Sequence, residues 1–309
     1  MKVRITQIDG NLPNLALMRL AHYHRALGDE VHFRDSILKD LFEPDYDLVY
    51  GSSIFKFSEQ KTLRFKENFP KAILGGTGVD NSTQLETWCP GIGSKIDYTD
   101  YPDFESSIGF LIRGCRLKCG FCVVPEKEGK PYQEQTVTDL YRGHPYPKQL
   151  HLLDNDFFGI KNWRDHIAEI RDKNFKICFS QGINIRLVNK RIAEALASIK
   201  YYDSKFKKRR IYTAWDNIGD EKPFMRGVDY LVEAGIPAKH IMAYMLIGYD
   251  PKETMEVIQY RFEKMVERDI MPYPMVYDRS NKLLCDFQRW VIRGYYRFIS
   301  FAEYKPRKT

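Results

Sequence analysis

Between residues 107 and 280 the chain repeats one pattern, a short apolar run ending in polar residues and usually followed by an amphipathic helix. The runs are Ser107–Ile112, Gln149–Leu153, Lys176–Ser180, Arg210–Ala214, Ile241–Ile247 and Met271–Tyr277. SIGFLI at 107–112 is nearly continuous in apolar residues, as expected of a strand buried on both faces. Helices are predicted from Asn162 (with Trp163, Ile167 and Ile170 inward), from Asn189 (Ile192, Leu196, Ile199) and from about Pro223 to Gly235. Asp250 and Glu253 make a capping-box-like start, with Pro251 at the first helical position, for a helix burying Ile258, Phe262, Met265 and Val266. A closing helix is predicted over Asp286–Phe301. Strands alternating with helices specify an α/β fold with parallel pairing. Six such units predict a partial (β/α)6 TIM-like barrel.

In such barrels chemistry sits at the C-terminal ends of the strands. Here those ends carry Asp154, Asn155 and Asp156, then Gln181 and Arg186, then Trp215–Asn217 with Asp216, then Ile247 and Gly248 through Asp250. The first strand runs into RGCRLKCGFC at 113–122, where Cys115, Cys119 and Cys122 stand at C-x3-C-x2-C spacing. Three thiolates this close can share one soft metal centre. A zinc knot is the structural alternative, but zinc sites usually take four ligands and His144 downstream lacks knuckle spacing. Cys89, Cys178 and Cys285 are scattered singly and read as plain thiols.

The first 95 residues also alternate. Val3–Ile8 reads as a strand, and Asn11 and Pro13 open a helix that stops at Gly28. Val31–Phe33, Leu48–Tyr50 and Ala72–Leu74 are further strands, with a helix over about 58–68 between the last two. A small Rossmann-like domain is predicted over 1–95, a linker over 96–106, the barrel over 107–280, and a C-terminal helix with a basic tail over 281–309. The turn Gly75–Gly78 is read as a turn, with a phosphate cradle as the alternative.

No apolar run reaches the roughly 18–20 residues of a membrane span. The N-terminus alternates like a strand and lacks a signal-peptide pattern, so the expected location is cytoplasmic. A net charge of +7 permits an anionic partner without demanding one. Lys205–Arg210 (KFKKRR) precedes the fourth strand, on the face opposite the strand ends, and reads as a solvated loop. Arg289, Arg293 and Arg297 recur at helical spacing in the closing helix; with Tyr295 and Tyr296 this stripe could meet phosphates or stack on bases.

The cysteine spacing, with aromatic Phe121 before the last cysteine, resembles the signature of radical S-adenosylmethionine (SAM) enzymes, and the resemblance extends over about 106–280. It implies a [4Fe–4S] cluster held by Cys115, Cys119 and Cys122, SAM as cosubstrate, and an external flavodoxin- or ferredoxin-like electron donor. Phe121, with GYDPKET at 248–254 and the adjoining Ile247, would meet the SAM adenine. Where the family often has G-G-E for the SAM amino group this chain has Asp154-Asn155-Asp156, so Asp156 or Asn155 takes that role. By position Arg186 would hold the SAM carboxylate and Asp216 the ribose hydroxyls, with Gln181 beside them. The hydrogen donor that the resemblance leaves open is first expected to be a nucleotide or nucleic acid, on the basic C-terminal stripe, with a peptide or small metabolite as the alternative.

The N-terminal layout resembles the cobalamin-binding domain of one radical SAM subgroup. The D-x-H-x-x-G pattern of many such domains would fall on Asp9–Asn14, where Asn11 replaces the histidine, so that mode of cobalt ligation is not available. A cobalamin-dependent methyltransferase is the alternative enzyme, and a non-catalytic metal- or nucleic-acid-binding protein the alternative outside enzymes.

Overall fold

The structure, a computed structural model, describes residues 1–80 and 84–306. It comprises two compact units, Met1–Glu105 and Ser106–Thr309. Each is a parallel α/β arrangement.

The first unit holds β1 (Lys2–Gln7), α1 (Leu15–Ala26), β2 (Glu30–Phe33), β3 (Leu48–Ser52), α2 (Glu59–Asn68), β4 (Ile73–Gly75) and the single turn α3 (Leu85–Trp88). Its sheet runs β2-β1-β3-β4, all parallel. Leu17, Leu20 and Ala21 of α1 pack with Val3, Ile5 and Tyr50. Phe65 of α2 packs with Ile8, Phe69 and Ala72 in a separate core. The helix cap is Asn14 rather than Asn11, its carboxamide oxygen accepting from Ala16 N at 3.1 Å and Leu17 N at 3.3 Å. Residues 96–105, expected as a linker, belong to this unit. Arg25 pairs with Asp97 and Asp100, both at 2.6 Å, and the Tyr101 hydroxyl donates to Gln7 at 2.7 Å.

The second unit holds β5 (Ser107–Gly109), β6 (Ile112–Arg113), α4 (Val124–Lys127), β7 (Tyr132–Gln133), α5 (Val137–Leu140), β8 (Gln149–Leu152), α6 (Trp163–Asp172), β9 (Lys176–Phe179), α7 (Lys190–Ala197), β10 (Lys200–Tyr201), β11 (Ile211–Ala214), α8 (Glu221–Glu233), β12 (Ile241–Ile247), α9 (Met255–Glu267), β13 (Met271–Val276) and α10 (Lys282–Ile292). Two parallel sheets result, β10-β9-β8-β5 and β11-β12-β13, with a small antiparallel pair β6-β7. The described strands thus form two sheets where one six-stranded barrel wall was expected. The division has a local cause. The edge of β9 is taken by the unforeseen β10, Lys200 opposite Lys176 and Tyr201 opposite Ile177. Contact with β11 passes to the chain beyond β9, through Ile183 N to Tyr212 O at 2.8 Å and Thr213 Oγ1 to Ile183 O at 3.0 Å. One large core, including Leu150, Ile177, Ile211, Met245, Phe262 and Phe287, backs the unit.

Three element ends depart from the sequence expectation. The first strand breaks after Gly109, because the backbone N–H groups of Leu111 and Ile112 donate to the Asp154 carboxylate instead of a strand neighbour. Helix α9 begins after Thr254, whose side chain is its cap, so Asp250 and Glu253 lie outside it, and Val266 is exposed. Helix α10 starts after its cap Asn281 and stops at Arg293, where Gly294 turns left-handed (φ 75°). The basic stripe is therefore not one helical face. Arg289 pairs within the helix with Asp286 at 3.1 Å, and Arg297 lies beyond the break with its guanidinium over the Tyr296 ring. Residues 307–309 of the basic tail lie outside the described residues.

Candidate metal centre

The cysteine loop is pinned on both sides of Cys115 by carboxylates. At its start Glu128 accepts from Gly114 N and from the Arg113 guanidinium, both at 3.0 Å. Gly114 is left-handed (φ 83°), and a Cβ there would lie 2.5 Å from the Lys130 carbonyl oxygen. Only glycine fits that approach. Gly114→Ala is therefore expected to cost about 1–3 kcal/mol of backbone strain and to lower metal uptake by the loop, checked by urea unfolding and metal analysis of one preparation.

One residue past Cys115, Arg116 grips Asp156. Its Nε donates to Oδ2 at 2.7 Å, Nη2 to Oδ1 at 2.9 Å, and its backbone N–H to Oδ2 at 3.1 Å. This planar two-point pairing on a buried carboxylate fixes loop direction as well as position. Asp156 was expected to receive the SAM amino group; its carboxylate is instead engaged by Arg116. Asp154, a cofactor-binding candidate at the same strand end, is buried and bonded to Ile112 N at 2.6 Å and Leu111 N at 3.3 Å. Asn155 lies between them, half-buried, its carboxamide 3.5 Å from Glu128.

Burial pushes the Asp154 carboxyl up to about 7, against the lowering effect of its two backbone donors. An unfolded carboxyl titrates near about 4, so through the interval between the two values the folded chain keeps a proton that the unfolded chain has lost. Stability from this group accordingly falls as pH rises from about 4 to about 7 and levels off above. Asp154→Asn is expected to flatten that slope, read from thermal melts of both proteins across the window.

Two residues from the other strand ends, Arg186 and Tyr249, reach the same loop. Arg186, in the turn after β9, places Nη2 3.6 Å from the Cys119 sulfur and Nη1 2.8 Å from Asp220. Phe121 meets Tyr249 edge-on at 5.4 Å between centroids, and Tyr249 meets Tyr277 at 5.0 Å. Phe121 and Tyr249 are 37% and 39% exposed, so this aromatic edge is open to a ligand. Ile247 is fully buried and turned into the core, so its side chain is not a wall of that surface. Gly248 N donates to Glu253, and Asp216 accepts from Leu246 N at 2.9 Å. Gln181 is exposed and makes none of these contacts.

Glu128, Arg116 and the buried Arg261–Glu253 pair escaped the sequence reading, whereas Tyr249 lies within the 248–254 segment expected at the adenine. Arg261 donates to Trp215 O at 2.6 Å, to Leu246 O at 3.0 Å and to Glu253, tying the ends of β11 and β12 together. In the sequence it is one charged residue within an otherwise amphipathic helix; only its inward position in α9 marks it.

The three loop cysteines are free and part-exposed. Burial pushes the Cys115 and Cys122 thiols up, and the neighbouring cysteines add to this in both. Among the described residues no group of three His, Cys, Asp or Glu side chains stands converged as a ready ligand set. The donors nevertheless suit a soft centre: three thiols on one pinned loop, one of them against a guanidinium.

At the N-terminal turn, Gly78 N donates to Ser53 O at 3.0 Å, and Val79 N and Asp80 N donate to Gly76 O. These bonds tie the end of the glycine run to Ser53 and close a turn on Gly76. Asp9, the first position of the cobalamin pattern, likewise accepts from Ser53 Oγ, Ile54 N and Phe55 N. In KFKKRR, Arg209 stacks over Tyr201 at 3.7 Å and Arg210 donates to Lys239 O at 3.1 Å, so two of its cations serve the fold.

Compared with protein-family models, with curated proteins and with solved structures, the chain has no match. No helix among the described residues is long and apolar enough to cross a membrane.

Proposed function

We propose that this chain is a radical SAM enzyme, its two parallel sheets acting as two arcs of a partial barrel. The observation that carries the reading is the gathering of four strand-end segments on one loop with three free thiols. Asp156 from beyond β8 holds Arg116, and Arg186 from beyond β9 faces Cys119 with Asp220 from beyond β11 as its partner. Asp216 from beyond β11 acts electrostatically on Cys122, and Tyr249 from beyond β12 meets Phe121, while Asp154 holds the strand that leads into the loop. Cys115, Cys119 and Cys122 would hold a [4Fe–4S] cluster, leaving one iron free of protein ligands for the amino and carboxylate groups of SAM. When bound, cluster and SAM together supply the electron transfer and the 5′-deoxyadenosyl radical that abstracts hydrogen.

The chain's own residues supply position. Asp156 and Glu128 hold the loop, through Arg116 and through Gly114 and Arg113. The exposed edges of Phe121 and Tyr249 offer an apolar face to an adenine ring. With Asp154 and Asp156 occupied, Asn155 is the residue of that trio left to meet an ammonium group. The stripe argument for a nucleotide substrate loses its helical basis at Gly294.

Anaerobic reconstitution with iron and sulfide tests the centre. The reading expects about four irons per chain and little zinc; stoichiometric zinc without iron would replace it with a structural metal site.

A further inference from the structure

Arg186 was expected to hold the SAM carboxylate, but all three of its guanidinium nitrogens already make protein contacts. Nη2 lies 3.6 Å from the Cys119 sulfur, Nη1 2.8 Å from Asp220, and Nε 3.4 Å from the Asn184 side chain. The seat is rigid. Arg186 belongs to the tight turn Ile185–Leu187, and α8 packs so closely on that turn that a Cβ on Gly227 would lie 2.2 Å from the Ile185 carbonyl oxygen. Asp220 immediately precedes α8, so one helix fixes the turn and the counter-ion together.

We infer that Arg186 and Asp220 form a paired charge that sets the reduction potential of the centre held by Cys119. The inference rests on the cluster reading above. A donor on a ligating sulfur withdraws electron density and favours the more negative, reduced cluster. The Asp220 carboxylate offsets part of that positive charge. Arg186 is thus a positioning and tuning residue acting through the Cys119 sulfur, and the pair should respond in opposite senses when each half is removed.

The test is an anaerobic redox titration, with dithionite as the one-electron donor and the reduced cluster followed by electron paramagnetic resonance. It uses the reconstituted full chain, Arg186→Met and Asp220→Asn. At a fixed potential Arg186→Met is expected to lower the ratio of reduced to oxidised cluster about tenfold, a shift of ~59 mV for one electron. Asp220→Asn is expected to raise that ratio. Asp220 makes no side-chain cap bond to α8, so its replacement leaves the helix start intact. If Arg186→Met does not load, Asp220→Asn alone decides, because it retains the guanidinium. A wild-type chain that takes up no iron–sulfur cluster overturns the centre and this inference with it. Wild type and variants with equal iron and the same potential overturn the inference alone.

Discussion

Cys119→Ala is expected to cut iron uptake sharply and to reduce 5′-deoxyadenosine formation to the level of a protein-free control. Two thiolates cannot replace three on a cube whose fourth iron must stay open. The same change removes the sulfur that Arg186 faces. Folding should be nearly untouched, within about 0.5 kcal/mol, because Cys119 lies in a part-exposed loop. Cys178→Ala is the matched control. That thiol is buried in β9, its pKa pushed up to about 12 by burial, and it lies in hydrogen-bond contact with the nearby Ser180 hydroxyl at 3.6 Å. Losing it should lower stability and leave iron content unchanged. Iron assay, SAM-cleavage assay and urea unfolding on the two variants separate loss of a ligand from loss of fold.

The largest stability effect should come from Glu253→Ala. Arg261 is fully buried, and Glu253 is the carboxylate that neutralises it. Breaking such a pair from one side leaves an uncompensated charge in the interior and typically costs about 3–5 kcal/mol. Glu253 also accepts from Gly248 N at 3.2 Å, so the turn beside the exposed aromatic edge should loosen as well. Replacing both partners, Glu253→Leu with Arg261→Met, should recover part of the loss, since a buried pair can often be exchanged for apolar residues at little cost. Recovery will be incomplete because Arg261 also serves Trp215 O and Leu246 O. Urea unfolding of the three proteins checks the order: single variant least stable, double variant intermediate, wild type most stable.

Much of the architecture was legible in periodicity. Ile241–Ile247 alternates buried and half-buried residues along its whole length and was bounded correctly, as were the starts of β8 and β9. What escaped were ends decided by tertiary partners. Nothing local to SIGFLI shows that Asp154, far along the chain, will take two of its backbone donors and stop the strand. Asp250, Pro251 and Glu253 satisfy the local rules for a helix start, yet Glu253 is drawn to Arg261 and Thr254 caps instead. The site was legible in place and only partly in role. Asp156, Arg186 and Tyr249 do come to the cysteine loop, while Gln181 and Ile247 do not. Of the two aspartates expected at a cosubstrate, Asp156 is bonded to the loop and Asp154 to the strand end that leads into it, and Arg186 faces a sulfur. Sequence position identifies which strand end a carboxylate occupies; its hydrogen-bond partner depends on the folded loop opposite.

The most direct measurement of the central claim is cleavage of SAM by the anaerobically reconstituted wild-type chain under dithionite, followed by chromatography of the products. The account predicts 5′-deoxyadenosine and methionine, formed only when iron and sulfide have been supplied. A chain carrying about four irons that yields no 5′-deoxyadenosine would contradict it.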